Sequence, residues 1–397
     1  MGNRNIKSDQ FSLKQNDGGL PMHDKIWPLA SAIYPSSVYN FTDIDDLDSY
    51  FAGSHGGYLY ARDGHPNADE LAQQLAEYHL ADWASVTSSG MSALCALFLS
   101  RLGPGKHLLA SRWLYGKTIL LIRDFENRGT RVTWFNPDHP DELRSLITQT
   151  ADLVLVESIS NPLVRIADLS SIANICSESG SPLAVDNTFP TPVFLKPLSL
   201  GADFVVESLT KLINGHSDAT LGMVAGSKKW KKHFQPFVSL YGLNSSPFDC
   251  WLTSRGLETL RLRVQTSEEN ARKLALWLQN QQGVLEIHHP SLPCHADHSL
   301  AQRMMPIGTC NIVSFEVSGG RDGAQSFFRA CKNLTLSPSL GHTSTTLSYP
   351  AGTSHRGLSP EERQAEGIGP GLIRVSTGIE PFDTIREGFA KGLAAVN

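Results

Sequence analysis

Between residues 83 and 209 the chain returns repeatedly to short, apolar, β-rich runs, and each run ends in polar residues. "ASVTSSG", "HLLAS", "RVTWFN", "ADLVLVESI", "PLAVDN" and "DFVVESL" follow in that order. Segments with helical spacing precede and separate most of them. "ADELAQQLAEYHLA" puts Leu71, Leu75 and Tyr78 on one face, and "MSALCALFLSRL" is an apolar helix stopped by Gly-Pro-Gly. Strands alternating with helices predict an α/β fold, a mostly parallel sheet with helices on both faces. Such sheets collect functional groups beyond the carboxyl ends of their strands. Chemistry is therefore expected at Ser88-Ser89-Gly90, Glu157-Ser158, Asp186-Asn187 and Ser208 to Lys211.

Beyond this region a long helical stretch, roughly 250 to 282, leads to "NIVSFEVSGG" as a strand and "GAQSFFRACKNL" as a helix. "LIRVSTGIE" and a final helix follow, so a smaller C-terminal α+β domain is expected. Near the start, "IWPLASAIYPSSVYNF" is too rich in Pro and Ser for a helix and too apolar to stand free in water. It reads as an extended arm that packs on another subunit or domain. The opening "MGNRNIKS" resembles a myristoylation start, but the polar residues after it favour a disordered tail.

Composition excludes several classes. A net charge of −5 gives no general attraction to nucleic acid or an anionic membrane surface. No run approaches the roughly 20 apolar residues of a membrane span. The six cysteines form no close pairs, which argues against a disulfide framework or structural zinc and for reduced thiols in the cytoplasm. His288, His289, His295 and His298 lie in a Pro-broken polar stretch that reads as a surface loop rather than a metal site.

Three features combine at the strand ends. A lysine after a strand is ordinarily a solvated surface residue, but burial in a cleft would favour the neutral amine needed for Schiff-base chemistry. Lys211 follows Ser208 and Thr210, whose alternation along the strand predicts two hydroxyls on one face, suited to a phosphate monoester. A helix beginning at Gly90-Met91 offers free N–H groups and a positive dipole end to the same anion. Asp186 ends an apolar run and needs a cationic partner or a hydrogen-bond cage; in isolation it is equally an Asx-turn or a cap before Thr188. A lysine for an aldehyde, a carboxylate for a pyridinium and a phosphate cradle together specify pyridoxal 5′-phosphate. Tyr115 in "WLYGKT" is either a ring-stacking aromatic or a core tyrosine.

"IYPSSVYNF", "YARDGHPN", "TSSGMSA", "YGKT", "ESISNP", "AVDNTFPTP", "ESLTKLINGHSD", "TSRGLETLRLRV", "SFEVSGG" and "IRVSTGIE" occur in an order that resembles the cystathionine γ-synthase / methionine γ-lyase family. This is the Cys/Met-metabolism branch of fold-type I pyridoxal-phosphate enzymes. The resemblance implies an arm at 1–62 contacting a neighbouring subunit, a cofactor-binding domain at 63–256 and a C-terminal domain at 257–397. It implies that Lys211 binds the cofactor aldehyde and moves protons, and that Asp186 keeps the pyridine nitrogen protonated. Ser208, Thr210, Gly90 and Met91 would hold the phosphate, with Tyr60 and Arg62 reaching it from the neighbouring subunit. Tyr115 would stack on the ring and assist proton transfer, and Asn161 would sit beside the ring hydroxyl. Arg374 would clamp the substrate α-carboxylate, and Ser339 would line the site near the lysine. A homotetramer of two active dimers is implied.

Some positions depart from the family pattern. Lys117 stands where many relatives have glycine and methionine γ-lyases cysteine. Ser344 replaces a glutamate frequent in cystathionine-processing members; His65 and Asn67 flank the proline in place of asparagine and threonine, and Ser267 replaces a histidine. Lys117 either receives a polar γ-substituent or lies in solvent or against another subunit. The expected reaction is γ-elimination on an L-amino acid with a polar or thioether γ-substituent, giving a 2-oxo acid and ammonia. The alternatives are γ-replacement, as in cystathionine γ-synthesis or O-acylhomoserine sulfhydrylation, and a non-catalytic binding protein. The intact lysine, aspartate and arginine speak against the last.

Overall fold

The computed structural model of the chain describes residues 28–147 and 150–396. Ile33–Asn397 forms one compact unit; Met1–Ala32 is a separate one, whose described residues, 28–32, hold no helix or strand. Residues 1–27 of the expected arm lie outside the described residues.

Each of the six apolar runs forms a strand: β1 (Trp83–Thr87), β2 (His107–Ser111), β3 (Arg131–Phe135), β4 (Leu153–Glu157), β5 (Leu183–Asp186) and β6 (Phe204–Glu207). A seventh, β7 (Gly222–Gly226), is bounded by glycines at both ends and does not stand out in the sequence. They form one sheet in the order β1-β7-β6-β5-β4-β2-β3, parallel from β6 to β3, with β7 antiparallel to both its neighbours. Helices cover both faces, so β2 and β4 are buried along their whole length and need apolar side chains on both sides. The helix Pro66–His79 buries Leu71 and Leu75, while Gly90–Arg101 buries Leu94, Leu97 and Phe98.

A second sheet contains β8 (Val284–His288), β9 (Ile312–Val317), β10 (Thr335–Leu336), β11 (Thr346–Ser348) and β12 (Leu372–Ser376), in the order β10-β11-β12-β9-β8. Phe315 of β9 meets Phe327 and Phe389 from the helices Gly320–Ala330 and Phe382–Ala394, with centroids 5.5 and 5.9 Å apart. The helical stretch before this sheet is two helices, Pro247–Glu258 and Leu260–Leu278, joined at Thr259. The 288–298 stretch is not the surface loop expected: His289 is wholly buried and His295 nearly so. Burial lowers His289 to about 3, so it sits there as a neutral hydrogen-bonding ring against Ser291. No helix among the described residues is long and apolar enough to cross a membrane.

Candidate active site

β6 stops at Glu207, and residues 209–214 form turns rather than more strand. The alternation expected for Ser208 and Thr210 is therefore absent, and their placement comes from the turn instead. Lys211 N–H closes that turn on Ser208 O at 3.1 Å. Arg263 holds the next residues from beneath, donating to the carbonyls of Leu212 (2.7 Å), Ile213 (2.9 Å) and Gly256 (2.7 Å). Gly215, with φ of +76°, leaves it room; a Cβ there would stand 1.9 Å from Arg263 Nη1. The Asn-Gly pair after the lysine thus serves the turn.

A line of hydrogen bonds joins both sheets at Lys211. Its Nζ donates to Ser339 Oγ (2.9 Å); Arg374 on β12 donates to Ser339 O (2.9 Å) and to Asn161 Oδ1 (3.0 Å). Burial and then the Arg374 charge lower the Lys211 amine below its ordinary value, toward the neutral nucleophile. Arg374 is almost fully buried without a carboxylate partner, and burial alone brings it down to about 10. Its Nε is a buried donor with no partner. A carboxylate from outside would satisfy it in the bidentate geometry an arginine favours.

Asp186 ends β5 with Oδ1 accepting from Thr188 N (3.0 Å) and Thr188 Oγ1 (2.5 Å). Thr188 Oγ1 in turn accepts from Ser208 N at 3.0 Å, which ties the carboxylate to the start of the lysine turn. Burial pushes Asp186 up to about 6, against the two bonds from Thr188. This arrangement combines the two isolated readings: Asp186 does make an Asx-type turn, yet no hydrogen bond from the described residues occupies its second oxygen.

The helix Gly90–Arg101 is capped by Ser89, whose Oγ accepts from Ser92 N. A Cβ on Gly90 would lie 2.8 Å from Ser208 Cβ, so only glycine lets this helix start meet the lysine turn. Ser208 Oγ has no hydrogen-bond partner among the described residues, and the first helical N–H groups, at Gly90 and Met91, have none within the helix. Thr210 differs from expectation. Its hydroxyl donates to Leu221 O (3.1 Å) and accepts from Leu221 N (3.0 Å), so it braces the turn against the chain leading into β7. An anion at this spot must take that hydroxyl from Leu221 O.

Tyr115 is no core tyrosine: it is 39% exposed, beside Arg374, just before the helix Gly116–Asn127. Its N–H donates to Glu157 Oε1 at 2.5 Å. Tyr60 and Arg62 are exposed and stack on each other at 5.0 Å; within one chain no hydrogen bond or ion pair joins them to the lysine cluster. Lys117 is exposed on the first turn of its helix. Ser344 is exposed too, its amide bonded to His342 Nδ1 at 2.9 Å. His65, Asn67 and Ser267 do structural work instead. His65 caps the helix Pro66–His79, Asn67 Oδ1 accepts from Tyr34 N, and Ser267 O accepts from Thr377 Oγ1.

Glu157 was expected among the polar strand ends but was given no role there, and Thr188 was overlooked. Glu157 carried the same signal as Asp186, a carboxyl closing an apolar run. Thr188 carried none, because its role depends on β5 and β6 lying side by side.

A lysine amine without a carboxylate partner among the described residues, an open carboxylate oxygen, an unpartnered hydroxyl facing a helix start and an unpartnered buried guanidinium N–H fit a pyridoxal-phosphate site that takes an amino acid. Residues 21–394 match the model of the Cys/Met metabolism PLP-dependent enzymes, and the chain belongs to that family. Among its relatives, O-succinylhomoserine sulfhydrylase of Pseudomonas aeruginosa is 39% identical, over 92% of this chain and 91% of the relative. L-methionine gamma-lyase of Porphyromonas gingivalis is 34% identical over 99% of both. The crystal structure of cystathionine gamma synthase from Xanthomonas oryzae pv. oryzae in complex with cystathionine superposes with a TM-score of 0.87 at 33% identity, covering 92% of this chain and 93% of that one. The chain is a fold-type I enzyme that uses pyridoxal 5′-phosphate for γ-elimination or γ-replacement.

Proposed function

We propose that this enzyme eliminates the γ-substituent of an L-amino acid, releasing a 2-oxo acid and ammonia, and that the substituent is polar or a thioether. The line from Lys211 through Ser339 and Arg374 to Asn161 carries the reading, because it sets a proton-moving amine beside a carboxylate clamp. Arg374 receives the α-carboxylate through its free Nε, so the substrate Cα lies within reach of Lys211. Lys211 Nζ would take the α-proton, give it up to the bound cofactor, and only then take a β-proton; its lowered pKa keeps the amine neutral and able to accept each one. Ser339 Oγ orients that amine, and the exposed Tyr115 hydroxyl stands where a proton can be passed to the leaving group. Bound pyridoxal phosphate supplies the electron sink. Asp186 holds its ring nitrogen, Asn161 lies beside its ring hydroxyl, and Ser208, Gly90 and Met91 hold its phosphate, with Thr210 joining once its hydroxyl turns from Leu221.

Ser344 supports elimination over cystathionine chemistry, since position 344 itself carries no carboxylate for a distal amino group and neighbouring Glu380 is bonded to Thr345 N and Oγ1. γ-Replacement is the second reading, favoured by the 39% identity to O-succinylhomoserine sulfhydrylase. The purified holoenzyme should release 2-oxo acid from one or more L-amino acids bearing a γ-thioether, γ-halide, γ-guanidinooxy or γ-acyloxy group, with no added thiol. Product appearing only after sulfide or cysteine is added decides for replacement. Lys211→Ala should abolish both the turnover and the visible cofactor band.

We also propose a cytoplasmic homotetramer of two active dimers. All six cysteines are free thiols, as a reducing compartment requires. Ile33, Val38, Ile44, Phe51 and Tyr60 leave apolar surface exposed on the segment before residue 62, an area suited to a second copy.

A further inference from the structure

Glu157 closes β4 and Asp186 closes β5; they are register partners on adjacent parallel strands, so both carboxyls stand on one face of the sheet. Glu157 Oε1 accepts the Tyr115 N–H at 2.5 Å, and among the described residues it makes no ion pair. The cations around this face are otherwise engaged. Lys211 is on Ser339, and Arg374 is on Ser339 and Asn161. The remaining charged group nearby, Glu207, faces the far side of the sheet toward His79 and raises Asp186 further.

With no cation between them among the described residues, buried Glu157 and half-buried Asp186 oppose each other's ionisation, which disfavours both being charged at neutral pH. Hydrogen bonding decides which one ionises. Asp186 Oδ1 receives two donors from Thr188, whereas Glu157 receives one backbone amide. The start of the helix Gly116–Asn127 favours a negative Glu157 only weakly. That is small beside the cost of burying an unpaired carboxylate.

We propose that Glu157 is a positioning residue that keeps the proton of this carboxyl pair. It fixes Tyr115 through the backbone amide and leaves the single negative charge on Asp186, opposite the cofactor nitrogen. Burial and the Asp186 charge push Glu157 well above the usual carboxylate range, in agreement with the geometry. The inference rests on the cofactor reading above and goes beyond it, by assigning a protonation state to a residue that need not touch substrate.

The test is infrared spectroscopy of the holoenzyme near neutral pH, combined with kinetics. A protonated-carboxyl carbonyl stretch should appear in the native-minus-Glu157→Gln difference spectrum. Glu157→Ala, which removes the acceptor for Tyr115 N–H, should lose roughly 10- to 100-fold in kcat with a smaller change in KM. Glu157→Gln, which keeps an acceptor and a donor, should recover most of that loss. A difference spectrum showing loss of an ionised carboxylate instead overturns the proposal, as does a Gln variant no better than Ala. Should the Ala variant not fold, the Gln spectrum still decides. Failure of the cofactor reading would show separately, as a native visible band that survives Lys211→Ala.

Discussion

At the scale of single residues, Asp186 links the cofactor to stability. Its folded value of about 6 lies above the ordinary 3.8, so the cofactor-free fold draws stability from the protonated form. That contribution is complete below about pH 4 and disappears as pH rises through about 6. A cationic ring nitrogen facing the carboxylate reverses the penalty. The rise in melting temperature on adding pyridoxal phosphate should therefore grow between about pH 4 and pH 6, and Asp186→Asn should flatten that growth. Thermal melts of cofactor-free and loaded protein across this window check it. A gain in the native protein that does not change with pH would mean that Asp186 does not face the nitrogen.

At the scale of elements, the ends of strands were legible and the spaces between them were not. Lys211, Asp186 and the Gly90 helix start announced themselves because a lysine, a carboxylate or a glycine at the end of an apolar run has few structural excuses. Thr210 was misread because the strand stops at Glu207, and a period-2 argument fails one residue past the last ladder bond. The partners Ser339, Arg374 and Asn161 came only from resemblance, since no local pattern brings residues 161, 339 and 374 together. β10 and β11 escaped notice because they span only two and three residues, and β7 and β8 because neither is an uninterrupted β-rich run; pairing rather than propensity holds them. The reverse face of the first sheet carries another cluster that pattern reading cannot see. His79 Nε2 lies 3.5 Å from Glu207 Oε1, which also accepts from Asn187 Nδ2 at 3.0 Å, and all three side chains are buried. Removing the imidazole leaves a buried polar group facing a cavity. His79→Ala should cost about 2–4 kcal/mol, read from the urea midpoint. Replacing His79 and Glu207 together by leucine should cost less than the two single changes combined. Strict additivity would show that the two side chains do not interact.

At the scale of the whole molecule, no hydrogen bond or ion pair among the described residues joins Tyr60 or Arg62 to their own chain's lysine cluster, as the proposal that they serve a neighbour's site requires. If each serves the partner's phosphate, two inactive chains can repair one another. Lys211→Ala and Arg62→Ala chains, co-refolded in equal amounts, should form hybrid dimers in which one site has both groups intact. Activity should rise to about a quarter of the native level from two nearly inactive parents. A mixture no more active than the average of its parents would place Arg62 in its own chain's site or outside any site.

The hydrogen-bond line through Ser339 and Arg374 also bears on the timing of synthesis. The lysine turn is complete only once its braces, Leu221 and Arg263, have been made, whereas Arg374 sits on the last strand to leave the ribosome. The groups proposed to take the cofactor therefore precede the proposed substrate clamp in the order of synthesis.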